Sequence, residues 1–412
     1  MDEAQIHATE IVKKLVKAGY IAYFAGGWVR DYLMGHPSAD IDIATNAPPE
    51  KILDLFPHTL LVGLAFGVVI VLIEGHQFEV STFRQDFDYE DGRKPSKIQL
   101  STPQEDAQRR DFTINGLFYD PLEETIFDYV HGVADLQKGI IRTIGNPQER
   151  FFEDRLRMVR AIRFASRFGF TIDVETQEAI IENAPTLFPS VAMERIWQEF
   201  CKMSHSPSFD HALIELHRLQ LLPEIFPILA KTHLNDIKQR VKNFPFYPRE
   251  TPTVLYLVQL FAEHPLSTLL DIFKGLKTSN RDCHLIEVYL KGQTLLGSKN
   301  VSERLVEWAH YYALPEAQIC LEVLTANGST LEERSNLASF HAHQKEKLRK
   351  HIERIRDKNP LVSSTFLREQ GIMPSKQMGL LLKQAEEIAI LNNLENPQDV
   401  LLLLKQSSTW PV

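Results

Sequence analysis

The chain has 412 residues, a formal net charge of −9, 44% hydrophobic and 24% charged residues, which describes an ordinary globular protein rather than a disordered or fibrous one. That length exceeds what one hydrophobic core holds, so about two to four domains are expected. The acidic balance excludes a chain that coats nucleic acid indiscriminately, although a local basic stripe on an acidic protein still binds phosphates.

Cys201, Cys283 and Cys320 stand far apart without CxxC spacing, so neither a disulfide framework nor a zinc knuckle is expected and a reducing cytosol fits. Met1-Asp2-Glu3 is acidic where a secretory leader is cationic. The apolar run 60–73 is interrupted by glycine and too short for a bilayer. A cytoplasmic protein is the expectation.

In chain order, the periodicity of 5–18 predicts a helix burying Ile6, Ile11, Val12, Leu15 and Val16. Residues 20–25 read as a strand and 28–34 as a short helix after Gly26-Gly27. Strands follow at 40–44, 68–73 and 78–82, rich in β-branched and aromatic residues, with a helix at 50–56 opened by Pro48-Pro49. This mixed segment runs to about residue 140. Beyond Pro147 strand signals nearly vanish and amphipathic stretches take over, among them 150–168, 174–184, 190–203 and 331–356. Breaks fall at 204–208, 243–253 and 359–360. The expected architecture is a mixed α/β head on a helical remainder.

Side chains two apart share a strand face. Asp40 and Asp42, alternating with Ile41 and Ile43, therefore both reach one hydrated metal pair while the isoleucines enter the core. The preceding Gly26-Gly27-Trp28-Val29-Arg30-Asp31 turn exposes backbone N–H groups to a triphosphate, with Arg30 on the first helical turn to meet it. Asp31 would repel a phosphate and is read as structural, holding Arg30 or a backbone turn. Glu79 is a candidate third carboxylate from a nearby strand; an exposed position or a partner for Arg84 is the competing reading.

In Arg109-Arg110-Asp111-Phe112-Thr113-Ile114-Asn115, guanidinium forks suit phosphate oxygens, whereas a carboxylate or amide (Asp111, Asn115) suits ribose hydroxyls. Residues 153–163 read as a continuous helix with Asp154, Arg157 and Arg160 at i, i+3 and i+6. A carboxylate only accepts and a guanidinium only donates. Side by side they match an amino group next to a ring nitrogen, the edge of cytosine and of adenine but not of uracil or guanine. Arg155 and Arg167 are read as surface ion pairs or RNA-phosphate contacts.

These motifs, together with Glu194-Arg195 and the pattern of 371–404, resemble the class II tRNA nucleotidyltransferase and bacterial poly(A) polymerase family of the polymerase β superfamily. The resemblance implies an α+β, polymerase β-like nucleotidyltransferase head (1–140), a neck with a base-templating helix (141–204), a helical body (205–300) and a helical, tRNA-binding tail (301–412). It implies that Asp40 and Asp42 hold magnesium and that Gly26, Gly27, Arg30 and Arg110 meet the nucleotide. By the same resemblance Asp111 would read the ribose. Asp154 and Arg157, supported by Arg160 and Arg163, would template the base without nucleic acid, and Glu194-Arg195 would buttress them. Residues 86–97, containing Asp91-Gly92-Arg93-Lys94-Pro95, match the family's mobile loop for switching from CTP to ATP. Val68, Gly116 and Lys94 depart mildly from the family's usual threonine, alanine and arginine.

The implied activity is template-independent CCA addition to the tRNA 3′ end from CTP and ATP, with pyrophosphate released. Poly(A) polymerases tend to carry a Gly-Arg-Arg-Phe run where this chain has Gly63-Leu64-Ala65-Phe66, which favours tRNA. CC-only enzymes tend to lack the loop; A-only addition stays open. A non-catalytic RNA-binding protein is expected to have lost Asp40, Asp42 or Arg110, all present here. No His-Asp dipeptide supports an HD-type hydrolase, and His205, His211, His341 and His343 are read as surface or capping histidines. For tRNA, the distal candidates are Lys345, Lys347, Arg349 and Lys350, on a basic stretch with Arg354, Arg356 and Lys358, weighed against a merely solvated basic face.

Overall fold

The computed structural model describes residues 2–36, 40–63, 67–89, 95–298 and 303–411. They form two compact units, 1–239 and 240–412.

The first unit opens with α1 (Glu3–Lys17), capped by the Asp2 carboxylate on Gln5 N, with Glu3 in its first turn and Lys14 and Lys17 in its last, each charge complementing the helix dipole. Its buried stripe is Ala4, Ala8, Ile11, Val12 and Leu15. Ile6 and Val16, expected inside, are exposed, because the 4-8-11-12-15 spacing defines the buried face and leaves both off it. The strands are β1 (Ala22–Ala25), β2 (Asp42–Thr45), β3 (Thr59–Gly63), β4 (Val68–Ile73), β5 (His76–Thr82), β6 (Arg84–Tyr89), β7 (Pro95–Leu100), β8 (Leu117–Asp120) and β9 (Thr125–Asp128), with a short parallel pair, β10 (Ile140–Ile141) and β11 (Thr171–Ile172), beyond them. Seven of them make one sheet in the order β3-β4-β5-β2-β1-β8-β9. All its pairings are antiparallel except β2 with β5. β6 and β7 pair as a separate antiparallel ribbon. Thus part of the segment expected to be a mobile loop is strand, while its residues 90–94 lie outside the described residues, as do 64–66 of the stretch compared with poly(A) polymerases.

Alternation sorts the sheet into two faces. Phe24, Ile41, Ile43, Phe78, Val80 and Leu117 pack under α1 in the main core. Ala25, Ala44, Phe83 and Phe118 form a smaller cluster on the other face. α2 (Gly27–Leu33) follows β1, α3 (Pro49–Leu55) follows β2, and α4 (Pro103–Gln108) is closed by a Thr102–Glu105 capping box. After α5 (Gly132–Lys138), α6 (Pro147–Glu153) and α7 (Leu156–Phe168) lead into helices Met193–Ser204 and Phe209–Arg218, both packed on α7. The single helix expected over 150–168 is two: Asp154 is extended at φ −148° and ψ 105°.

The second unit is helical. Val362, Leu367, Leu381, Ala385, Val400 and Leu404 form one core cluster. Another centres on Trp308, stacked on Tyr312 and edge-on to Tyr311 and Phe340. His341, expected at the surface, is buried there with Nδ1 3.0 Å from the Tyr312 hydroxyl; burial pushes its pKa down to about 4. The stretch 331–356 breaks at Leu348 into Leu331–Lys347 and Arg349–Arg356. Among the described residues no helix is long and apolar enough to cross a membrane.

Candidate active site

Gly26 leaves β1 at φ +67°, a region that L side chains avoid. A Cβ there would stand 2.7 Å from Arg110 Nη1. Both the turn and the close approach of Arg110 therefore require glycine. Gly26 O then accepts from Arg30 N, starting α2.

Asp42 begins β2, and the Ile43–Val80 register of the parallel pair sets Asp42 beside Glu79. With Ile41 and Ile43 in the α1 core, Asp42 turns to the opposite face; the strand begins at Asp42 rather than at residue 40, so Asp40 precedes it and reaches Asp42 through its charge. Burial first, then the charges of Glu79 and Asp40, push the Asp42 carboxyl up to about 7, with Arg110 opposing. Like charges crowded at one point and offering only oxygen donors fit a hard divalent cation. Nucleotidyl transfer draws on such a cation.

Arg110 is aimed by Asp106, which is 1% exposed. Asp106 Oδ2 accepts from Arg110 Nε and Nη2 at 3.2 and 3.0 Å, and Oδ1 from Arg109 Nε at 2.9 Å. Burial raises the Asp106 pKa, but Arg110 and Arg109 outweigh it and hold the carboxyl below its ordinary value. Sequence reasoning missed Asp106, although its i+3 and i+4 spacing to the two arginines on a capped helix is a readable signal.

Arg30 is nearly buried. Its Nε donates to Asp31 Oδ1 at 2.7 Å and its Nη1 to Asn115 Oδ1 at 2.6 Å. Asn115 Nδ2 in turn donates to Asp111 Oδ1 at 2.9 Å, and Asp111 Oδ2 accepts from Arg160 Nε at 2.9 Å and Nη2 at 2.5 Å. Burial raises the Asp111 pKa, yet Arg160 and the Asn115 hydrogen bond overcome it and bring it to about 2. One hydrogen-bonded chain thus runs from Asp31 to Arg160.

Asp154 and Arg157 lie in the same cleft but not as neighbours on one helix. The Asp154 carboxylate accepts from Leu156 N at 3.0 Å, interrupting the helix, and is held by Arg195 from helix Met193–Ser204. Arg157 donates to Glu153 Oε2 at 2.6 Å, to Arg150 O at 3.1 Å and to Arg109 O at 3.2 Å. Arg163 is placed elsewhere: its Nε donates to buried Glu199 at 2.5 Å, and it does not line the cleft. Arg155 bonds Thr186 Oγ1 rather than a carboxylate, and Arg167 pairs with Asp31 at 3.4 Å.

Together Gly26, Gly27, Arg30, Asp42, Arg109, Arg110, Asp111, Asn115, Asp154, Arg157, Arg160 and Phe164 line a cavity of about 380 Å³. Phe164, also missed from sequence, lies under the guanidinium groups of Arg30 and Arg160, each 5.3 Å from its ring centre. In the second unit, Lys345 and Arg349 line another cavity with Tyr312 and Arg356. There Lys350 pairs with Glu395 at 2.5 Å, and Arg354 with Glu386 at 2.6 Å. Arg349 lies 3.7 Å from Glu346 and 3.9 Å from Glu353.

A sheet that presents paired carboxylates beside a glycine turn and an arginine-lined cleft defines a nucleotidyl-transferring head. Residues 22–142 match the poly A polymerase head domain, and 169–232 match the probable RNA and SrmB-binding site of polymerase A. Curated relatives agree along the whole chain. The CCA-adding enzyme of Streptococcus mutans is 33% identical over 404 residues, covering 96% of this chain and 95% of the relative. That of Enterococcus faecalis is 33% identical over 411 residues, covering 96% and 94%. The crystal structure of the Bacillus stearothermophilus CCA-adding enzyme in complex with CTP superposes with a TM-score of 0.80 at 27% identity, covering 98% of each chain. The Thermotoga maritima CCA-adding enzyme complexed with tRNA shares the fold, with a TM-score of 0.68 at 20% identity over 98% of this chain and 96% of that one. The chain belongs to the CCA-adding enzyme family.

Proposed function

We propose that this protein adds C, C and A in turn to the 3′ end of tRNA, using CTP and ATP and releasing pyrophosphate, in the cytoplasm. The observation that carries this reading is a single cleft lined by Asp42 together with Asp154 and Arg157, in a chain related over 96% of its length to a CCA-adding enzyme.

The 3′-hydroxyl oxygen of tRNA attacks the α-phosphorus of the nucleotide, and the bond to the pyrophosphate oxygen breaks. Arg30, Arg110 and the backbone of Gly26-Gly27 hold the triphosphate in line. Asp40 and Asp42, with Glu79 as third carboxylate, would hold magnesium, and a cation there would supply charge to neutralise the leaving group and lower the pKa of the attacking hydroxyl. Asp111 and Asn115 face the ribose. Asp154 accepts from the exocyclic amino group of the base and Arg157 donates to the ring nitrogen, the pattern shared by C and A. Arg160 fixes Asp111, and Arg163 supports α7 from behind through Glu199. The finer division into head, neck, body and tail, at 140, 204 and 300, belongs to the same proposal, with Lys345, Lys347, Arg349 and Lys350 of the tail contacting tRNA phosphates.

The test offers purified protein each NTP separately on tRNA transcripts ending before the first C, after the second C, and complete. CTP is expected to extend the first, ATP only the second, and nothing the third. Extension by UTP or GTP at similar rates, or by ATP alone, would overturn the reading.

A further inference from the structure

The far face of the sheet carries a second cluster with no role in the chemistry above. Glu3 and His7 lie one turn apart on α1 and project together. His76 begins β5, just after a tight turn in which Glu74 and Gly75 both take positive φ, 46° and 83°. In β5 His76, Phe78 and Val80 alternate with Gln77 and Glu79. His76 therefore lies on the α1 side of the sheet, stacked toward Phe78 with ring centres 6.1 Å apart, while Glu79 serves the cleft on the other. The His7 and His76 ring centres are 5.5 Å apart, and one ligand atom from each of Glu3, His7 and His76 lies within 4.8 Å of the others.

Both ring nitrogens of His7 are buried without a hydrogen-bond partner. Its Nδ1 faces Glu10 Oε2 at 3.5 Å, an ion-pair distance without hydrogen-bond geometry. Buried polar atoms are nearly always satisfied, so an orphaned imidazole wedged between a carboxylate and a second imidazole calls for a ligand. Two imidazoles and a carboxylate are the donor set of a borderline divalent ion, with a water completing a tetrahedron. A carboxylate behind one ring nitrogen is the usual outer support of a metal-bound histidine.

We propose that Glu3, His7 and His76 bind a zinc-class divalent ion, with Glu10 orienting His7. The exposed Glu3 side chain swings in to bring the ligands to the spacing of a tetrahedral ion, about 3.4 Å between donor atoms. The ion staples the first turn of α1 to the β4–β5 turn, so ligation reports as stability of the first unit.

The experiment uses the full chain stripped with chelator and titrated with cobalt(II) alone, then competed with zinc. The expected result is a strong tetrahedral-type visible band saturating at one equivalent and discharged by zinc. His7→Gln and His76→Gln should each weaken cobalt binding by about tenfold or more, and zinc should raise the melting temperature of the parent but not of these variants. Nucleotide incorporation with magnesium should be unchanged in both. Should either histidine variant fail to fold, Glu3→Gln, altered on an exposed turn, must show the same loss of affinity. No such band, or one of equal affinity in the folded variants, overturns the proposal.

Discussion

Arg195 lays both ends of its guanidinium on Asp154, Nη1 at 3.1 Å from Oδ1 and Nη2 at 2.7 Å from Oδ2. The carboxylate proposed to read the base is thus fixed from another helix, and in that role would have limited freedom to follow a mismatched base. Arg195→Ala is expected to relax selection of CTP over UTP by roughly tenfold, equivalent to about 1.4 kcal/mol. Single-turnover incorporation with each nucleotide measures it, and unchanged selectivity would refute the role.

The same contact sharpens what a specificity swap needs. Asp154→Arg with Arg157→Asp would set an arginine against Arg195 and an aspartate against Glu153, two like-charge contacts in partly buried positions. The double variant should be less stable than the parent. Adding Glu153→Arg and Arg195→Glu should restore stability and move selection toward UTP or GTP. Persisting preference for CTP and ATP in the folded quadruple variant would show that the base is read elsewhere.

Asp42→Asn should lower incorporation by about a thousandfold or more, since cation stabilisation of the transition state amounts to several kcal/mol. CTP binding measured by calorimetry should be largely retained. Equal losses in both would place Asp42 in binding rather than in chemistry.

Asp106→Asn leaves two half-buried guanidinium groups without their buried carboxylate, a loss of about 3 kcal/mol in unfolding free energy. With Arg110 no longer aimed at the cleft, KM for the nucleotide should rise more than kcat falls. Denaturant unfolding and steady-state kinetics on the same preparation separate the two effects.

Two groups set acid sensitivity in the same direction but in successive pH windows. Asp111 has a folded pKa of about 2 against an ordinary 3.8. Its stabilising contribution is therefore complete above about pH 4 and is lost as pH falls toward 2. His341 has a folded pKa of about 4 against an ordinary 6.5. The unfolded chain binds more protons between those values, so stability declines as pH falls from 6.5 toward 4. Unfolding at stepped pH should show the His341 loss first, and His341→Phe should abolish it while leaving the lower-pH loss in place.

What the sequence made legible was local. Ile41 and Ile43 alternating with Asp40 and Asp42 marked which side enters the core, and the turn into α2 followed from a double glycine between strand and helix. The break at Asp154 was not legible as such. No glycine or proline marks it, and it arises because the Asp154 side chain competes for Leu156 N. Pairings such as Arg163 with Glu199 and Arg195 with Asp154 join residues 36 and 41 positions apart, which no periodicity encodes. The same blindness hid His341, whose burial depends on aromatic neighbours from another helix.

The arginines of the cleft come with their charges already spoken for. Arg30 has Asp31, Arg109 and Arg110 share Asp106, Arg157 has Glu153 and Arg160 has Asp111. With Arg167 also on Asp31 and Arg150 also on Glu153, seven guanidinium groups share four carboxylates, and Asp40, Asp42 and Glu79 stand opposite the surplus of three. A nucleoside triphosphate entering this cleft meets well-aimed donors but almost no spare positive charge. Its own charge must be cancelled by ions that travel with it, so nucleotide and divalent cation are bound as one substrate rather than two.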